Sequence, residues 1–94
     1  MAPAINVRHN PAARRYEVDV DGQLAVADYV LEEGRQVFTH TFVPAAARGL
    51  GVAEALVRTA LDDALAARRR VVPACSYVAR FIDRNPQYRG LLGG

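Results

Sequence analysis

The sequence predicts an α/β fold of the α+β kind: a mostly antiparallel five-stranded sheet, one main helix and one short C-terminal helix. Three observations lead there. Apolar and polar residues alternate through the first half of the chain, between short turn signals. Apolar residues then recur at helical spacing from Ala53 to Ala64. A short β-like run and a second helical stripe follow. Ninety-four residues suit one domain, 1–94, because a second core would need far more chain.

Ile5 to His9 is a short alternating segment, and Asn10-Pro11 turns the chain. Arg15 to Val20 alternates as a half-exposed strand should. Asp21-Gly22 reads as a tight hairpin turn, since that pair readily takes the positive backbone angles of a type I′ turn. Leu24 to Leu31 returns as the next strand, Glu32 to Arg35 turns again, and Gln36 to Val43 is a fourth strand. The first half is therefore an antiparallel meander. Ala53, Leu56, Val57, Ala60, Leu61 and Ala64 then form the buried stripe of the main helix, with Glu54, Arg58, Asp62 and Asp63 on the opposite side. Arg70 to Cys75 predicts a fifth strand, and Pro73, which has no N–H for a ladder, requires an edge or splayed position. Ser76 is placed to cap a helix from Tyr77 to Arg84 whose stripe is Val78, Phe81 and Ile82. Asn85-Pro86 stops it, and Leu91 to Gly94 reads as a loosely held tail.

Composition narrows the function classes. The formal charge is +2, and all the basic residues are arginines, whose planar fork suits phosphate. That charge is too small to argue for nucleic acid, and no basic-aromatic platform is evident. Arg68-Arg69-Arg70 reads as a solvated helix C-terminus favoured by the helix dipole. No apolar run approaches the roughly 20 residues that cross a bilayer. The expectations are no membrane partner, a cytoplasmic location and a monomer or weak homodimer. A single cysteine, Cys75, and two distant histidines show no metal-ligand spacing.

The stretch from Val43 to Ala53 joins a strand end, a glycine-containing turn and a helix start. Gly49 and Gly51 let backbone N–H groups converge, and a helix N-terminus leaves such donors unpaired with a partial positive charge. Arg48 adds a full charge there. The elements of a pyrophosphate cradle stand together, although two glycines could equally serve only the turn.

Arg48-Gly49-Leu50-Gly51-Val52-Ala53 resembles the R/Q-x-x-G-x-G/A motif of GCN5-related N-acetyltransferases, in which this turn binds the pyrophosphate of acetyl-CoA. The flanking His40-Thr41, Val43-Pro44, Val71-Val72-Pro73, Cys75 and Asn85-Pro86-Gln87-Tyr88 resemble the minimal branch of that superfamily. The resemblance implies a mostly antiparallel sheet of that family's kind and an acyl-CoA-dependent transfer of acetyl to an amine acceptor, small molecule or protein. It implies cofactor contacts from Phe42, Val43, Arg48, Gly49, Leu50, Gly51, Val52, Ala53 and Asn85. Members often carry an acidic residue where this chain has Phe42, proline for Ser76 and histidine for Asn85. The first departure bears on chemistry more than on binding.

Two residues are candidates for chemistry. Cys75 lies where a strand gives way to a helix, a position that lowers a thiol pKa, and its other reading is a small buried hydrophobe. His40 carries an imidazole and is a candidate proton acceptor. Strict alternation would place it beside Phe38 and Phe42, as a packed core histidine. Tyr77 and Tyr88 are candidate donors to a departing thiolate, or else packing residues. A non-catalytic CoA-binding or interaction module is the competing reading, since so small a domain has little material for an acceptor pocket.

Overall fold

The computed structural model describes residues 5–92. Five strands, β1 (Arg8–Asn10), β2 (Arg15–Val20), β3 (Gln23–Glu32), β4 (Arg35–Phe42) and β5 (Arg70–Pro73), form one sheet in chain order. Neighbours are antiparallel except β4 and β5, which run parallel and are joined across the sheet by helix α1 (Val52–Ala66). Helix α2 (Ser76–Arg84) and a 3-10 segment (Pro86–Leu92) complete the chain.

The first hairpin turns at Asp21 (φ 52°) and Gly22 (φ 82°), the positive pair that lets a two-residue turn follow the strand twist. Helix α1 buries Leu56, Val57, Ala60, Leu61 and Ala64 against Tyr16, Val18, Ala25, Ala27 and Phe38 of the sheet. Each fully buried leucine contributes about 2 kcal/mol of transfer free energy. Two phenols fix the position of α1: Tyr16 donates to Asp63 at 2.8 Å and Tyr88 donates to Asp62 at 2.7 Å. Helices α1 and α2 and the final 3-10 segment touch one another and share one buried cluster, so they lie on the same face of the sheet.

Three local expectations are corrected. Ser76 is not the cap of α2: it is the first helical residue, and Cys75 is the N-cap. The tail is not loose at Leu91, which is buried as the 3-10 segment folds back under α2 and β5; Gly93 and Gly94 lie outside the described residues. His40 is exposed rather than packed beside Phe38. The reason is a β-bulge: β3 pairs Asp28 with His40 and Tyr29 with Phe38, leaving Thr39 as an extra residue that shifts the alternation of β4. The pairing of β4 with β5 also stops at Phe38 and Pro73, as a residue without N–H dictates. Beyond that point the β5-facing edge of β4 runs on without a strand partner. Among the described residues, no helix is long and apolar enough to cross a membrane.

Candidate functional site

The site is built where β4 ends. Pro44 stops the strand, a 3-10 turn (Ala45–Ala47) reverses the chain, and Arg48 to Gly51 lead into α1. Gly49 (φ 84°) and Gly51 (φ 79°) both occupy the left-handed region, where a Cβ would meet open space but strain its own backbone. Gly51 is the N-cap of α1 and has no side chain with which to satisfy the helix. The first N–H of the helix with an acceptor is that of Ala55, bonded to Gly51 O at 3.0 Å. The N–H groups of Gly49, Leu50, Gly51, Val52, Ala53 and Glu54 have no acceptor among the described residues. They surround the positive end of the α1 dipole.

These donors border an open cavity of about 280 Å³ lined by Val43, Ala47, Arg48, Gly49, Gly51 to Glu54, and Tyr77. Arg48 Nε reaches back to Val43 O at 3.4 Å, and among the described residues its guanidinium is in no ion pair. Glu54 brings a carboxylate to the same wall. Arg58 holds it at 3.0 Å and reaches Asn85 Oδ1 at 3.5 Å with the same nitrogen. The cavity therefore has a positive mouth and a compensated negative flank.

Cys75 sits two residues before Tyr77, half-buried, with its thiol 3.5 Å from the Thr41 hydroxyl. Burial pushes the thiol pKa up, but the Thr41 contact and the N–H dipoles of Val78, Tyr77 and Thr41 outweigh it and leave the thiol below its ordinary value. Tyr77 moves the other way: burial, then the Glu54 charge, raise its phenol, so it stays protonated at neutral pH.

The candidate residues are thus not all together. Arg48, Gly49, Gly51, Val52, Ala53 and Val43 line one cavity. Leu50 turns away, into a neighbouring depression with Val18 and Val20. Asn85 does not line the cavity: its amide donates to Phe81 O at 2.8 Å and closes α2, so it bears on the site only through Arg58. Thr41 faces Cys75 on the helix side, so by alternation His40 and Phe42 face the opposite side of the sheet. Phe42 is 45% exposed there. Tyr88 is spoken for by Asp62. Sequence reasoning missed Thr41, Ala47 and Glu54. The i,i+4 spacing of Glu54 and Arg58 was the available signal for the last. Among the described residues no group of three or more His, Cys, Asp or Glu side chains is placed to hold a metal.

Fold and site define a class: a small α+β protein whose strand-to-helix turn carries main-chain donors without acceptors among the described residues. A family model described as GCN5-related N-acetyl-transferase matches residues 15–91. The chain belongs to that family. It is similar to Protein NATD1 of Bos taurus, at 32% identity over 88 residues covering 87% of this chain and 75% of the relative. Protein NATD1 of Mus musculus and of Homo sapiens each match at 30% identity over 87% of this chain, covering 77% and 75% of their lengths.

Proposed function

We propose that the chain binds acetyl-CoA at the Arg48–Ala53 turn and transfers the acetyl group to an amine. The observation that supports this reading most is the row of N–H groups from Gly49 to Glu54 without acceptors, gathered around one cavity beside Arg48. A diphosphate fits such a donor set, because it accepts several bonds at once and is favoured by the helix dipole. When bound, acetyl-CoA supplies an activated acyl thioester.

The chain's own residues divide the remaining work. Arg48 neutralises charge that the main-chain donors leave over. Val43 and the unpaired edge of β4 guide the pantetheine arm, and N–H groups around Phe42 and Val43 are the donors offered to the acyl oxygen. Tyr77, held protonated, can give its proton to the departing sulfur. His40, on the far side of β4, accepts the proton of an amine arriving from that side. Family membership implies direct attack by the amine, with Cys75 lining the thioester pocket. This chemistry belongs in the cytoplasm, where acetyl-CoA is available.

One observation favours binding without turnover. Among the cavity-lining side chains, Glu54 is the one carboxylate, and Arg58 engages it. The family often has an acid where Phe42 stands. Two measurements separate the readings. Acetyl-CoA at 100 times its Kd should raise the melting temperature by about 10 °C or more, and adenosine at the same concentration should not. Release of free CoA should follow with one member of an amine panel. Equal shifts with both ligands overturn the site, and a shift without release for any amine leaves a binding module.

A further inference from the structure

Three consecutive arginines line one cavity at the C-terminal end of α1. Leu65, Arg68, Arg69, Arg70, Gly90 and Leu91 border about 360 Å³ of space there. Consecutive side chains diverge around a helix and alternate across a strand, so three in a row share a wall in neither. They share one here because the turn that ends α1 puts Arg68 in the left-handed region (φ 53°) and β5 begins at Arg70. No acidic residue lines the cavity, and among the described residues none of the three guanidiniums is in an ion pair. Behind Arg69 stands Gln36, a fully buried amide whose Oε1 accepts from Arg69 Nη1 at 3.2 Å. The Nε2 of Gln36 has no partner among the described residues. An apolar side chain would pack there without that idle donor. What the amide does is aim a guanidinium: it holds one nitrogen of the half-buried Arg69 and leaves the other two without an acceptor. A left-handed arginine, crowded like charges and an idle buried amide each disfavour the fold, and all three meet at this cavity.

We infer that this cavity binds a phosphomonoester, a phosphate group carried on a small apolar body. Guanidinium forks match phosphate oxygens two at a time, and a dianion relieves the crowding of three like charges. The carbonyls of Ala64 and Leu65 are taken by the N–H groups of Arg69 and Arg68, which blunts the negative helix end toward an anion. Leu65, 42% exposed, and Leu91 provide an apolar floor that a bare ion would leave wet. The site is separate from the turn at Gly51, because the fifteen residues of α1 put about 20 Å between them. The inference does not rest on acetyl-CoA binding.

Titration of the full chain with phenyl phosphate, followed in 1H–15N correlation spectra at about pH 7.5 where the group is dianionic, tests it. The amides of Arg68, Arg69, Arg70, Gly90 and Leu91 should shift saturably, with a Kd on the order of 1 mM at low salt that is lost in about 0.5 M NaCl. Inorganic phosphate should bind the same amides about threefold to tenfold more weakly, since it leaves the leucines uncovered. Phenol, which lacks the charge, should give no saturable shift. Arg69→Gln and Arg70→Gln should each weaken binding about fivefold or more. Arg68→Gly, which relaxes the backbone, should lower affinity while the chain melts higher, so that the loss is not one of folding. Gln36→Leu should weaken binding about threefold without lowering the melting temperature. Saturable shifts confined to Gly49 to Glu54 overturn this site while supporting the diphosphate cradle, since the two sets of amides do not overlap. Binding that Arg69→Gln and Arg70→Gln leave unchanged overturns it as well.

Discussion

Thr41 Oγ1 stands 3.5 Å from Cys75 Sγ, tying the end of β4 to the N-cap of α2 across the place where β4 and β5 part. The hydroxyl favours the thiolate, so Thr41→Val should raise the thiol pKa. Losing one such hydrogen bond should slow alkylation by iodoacetamide at pH 8 by about threefold to tenfold. A pH series of alkylation rates measures the shift. Cys75→Ala should keep most turnover if the amine attacks the thioester directly, and abolish it if the acetyl group passes through sulfur.

Gly51 begins α1 in the left-handed region with no neighbour near its missing Cβ. Gly51→Ala therefore strains backbone rather than packing. It should cost about 1–2 kcal/mol in denaturant unfolding and weaken acetyl-CoA binding by tilting the free N–H groups. Gly90, equally open and without a positive φ, provides the control: Gly90→Ala should change neither quantity appreciably.

The meander and the α1 stripe were legible because both follow from local rules: Asp21-Gly22 dictates a hairpin, and the Leu56–Leu61 spacing dictates a buried face. The glycine turn was legible for the same reason. The facing of His40 was not. It depends on the bulge at Thr39, which exists only in the pairing of β4 with β3 and which no window of β4 alone reveals. The burial of Leu91 and the capture of Tyr88 by Asp62 likewise arise from segments distant in the chain. Asn85, which stands where members of the family often carry histidine, closes a helix with its amide and does not line the cavity.

Arg48 and Glu54 line one cavity with opposite charges, so their removal should act in opposite directions. Arg48→Ala should weaken acetyl-CoA binding, and Glu54→Gln should tighten it. Both side chains are exposed, which limits each effect to about 0.5–1 kcal/mol, or about twofold to fivefold in Kd. Calorimetric titrations at low and high salt check this: both differences should shrink as salt rises.

Helix α1 ends in a Schellman arrangement. Arg69 N–H donates to Ala64 O at 2.9 Å and Arg68 N–H to Leu65 O at 3.2 Å, with Arg68 itself at φ 53°. That position favours glycine, and the Arg68 side chain is exposed. Arg68→Gly should stabilise the fold by about 0.5–1 kcal/mol in urea unfolding, the charge loss at the helix end offsetting part of the relief. Arg68→Val, β-branched in the left-handed region, should destabilise it.

Glu17 is almost fully buried although it lies on the outer face, because arginines close over it. Arg15 Nε donates to one carboxylate oxygen at 2.6 Å, Asn10 to the same oxygen at 3.2 Å, and Arg8 to the other at 3.0 Å. The Arg15 bond, joined by those from Asn10 and Arg8, holds the carboxyl below the usual carboxylate range against the opposing effect of burial. A folded-state pKa below the unfolded one means that this cluster contributes stability in full above the ordinary carboxylate pKa. The contribution is lost as pH falls through the depressed folded value. The melting temperature of the chain should therefore decline below about pH 4.5. Glu17→Gln should lower stability at neutral pH by about 1–3 kcal/mol, since the negative charge is lost and one of the two acceptor oxygens becomes an NH2 donor facing a guanidinium. It should also flatten the acid limb of the pH profile. If the variant and the parent decline in parallel between pH 5 and pH 3, the acid sensitivity resides elsewhere and Glu17 is not its source.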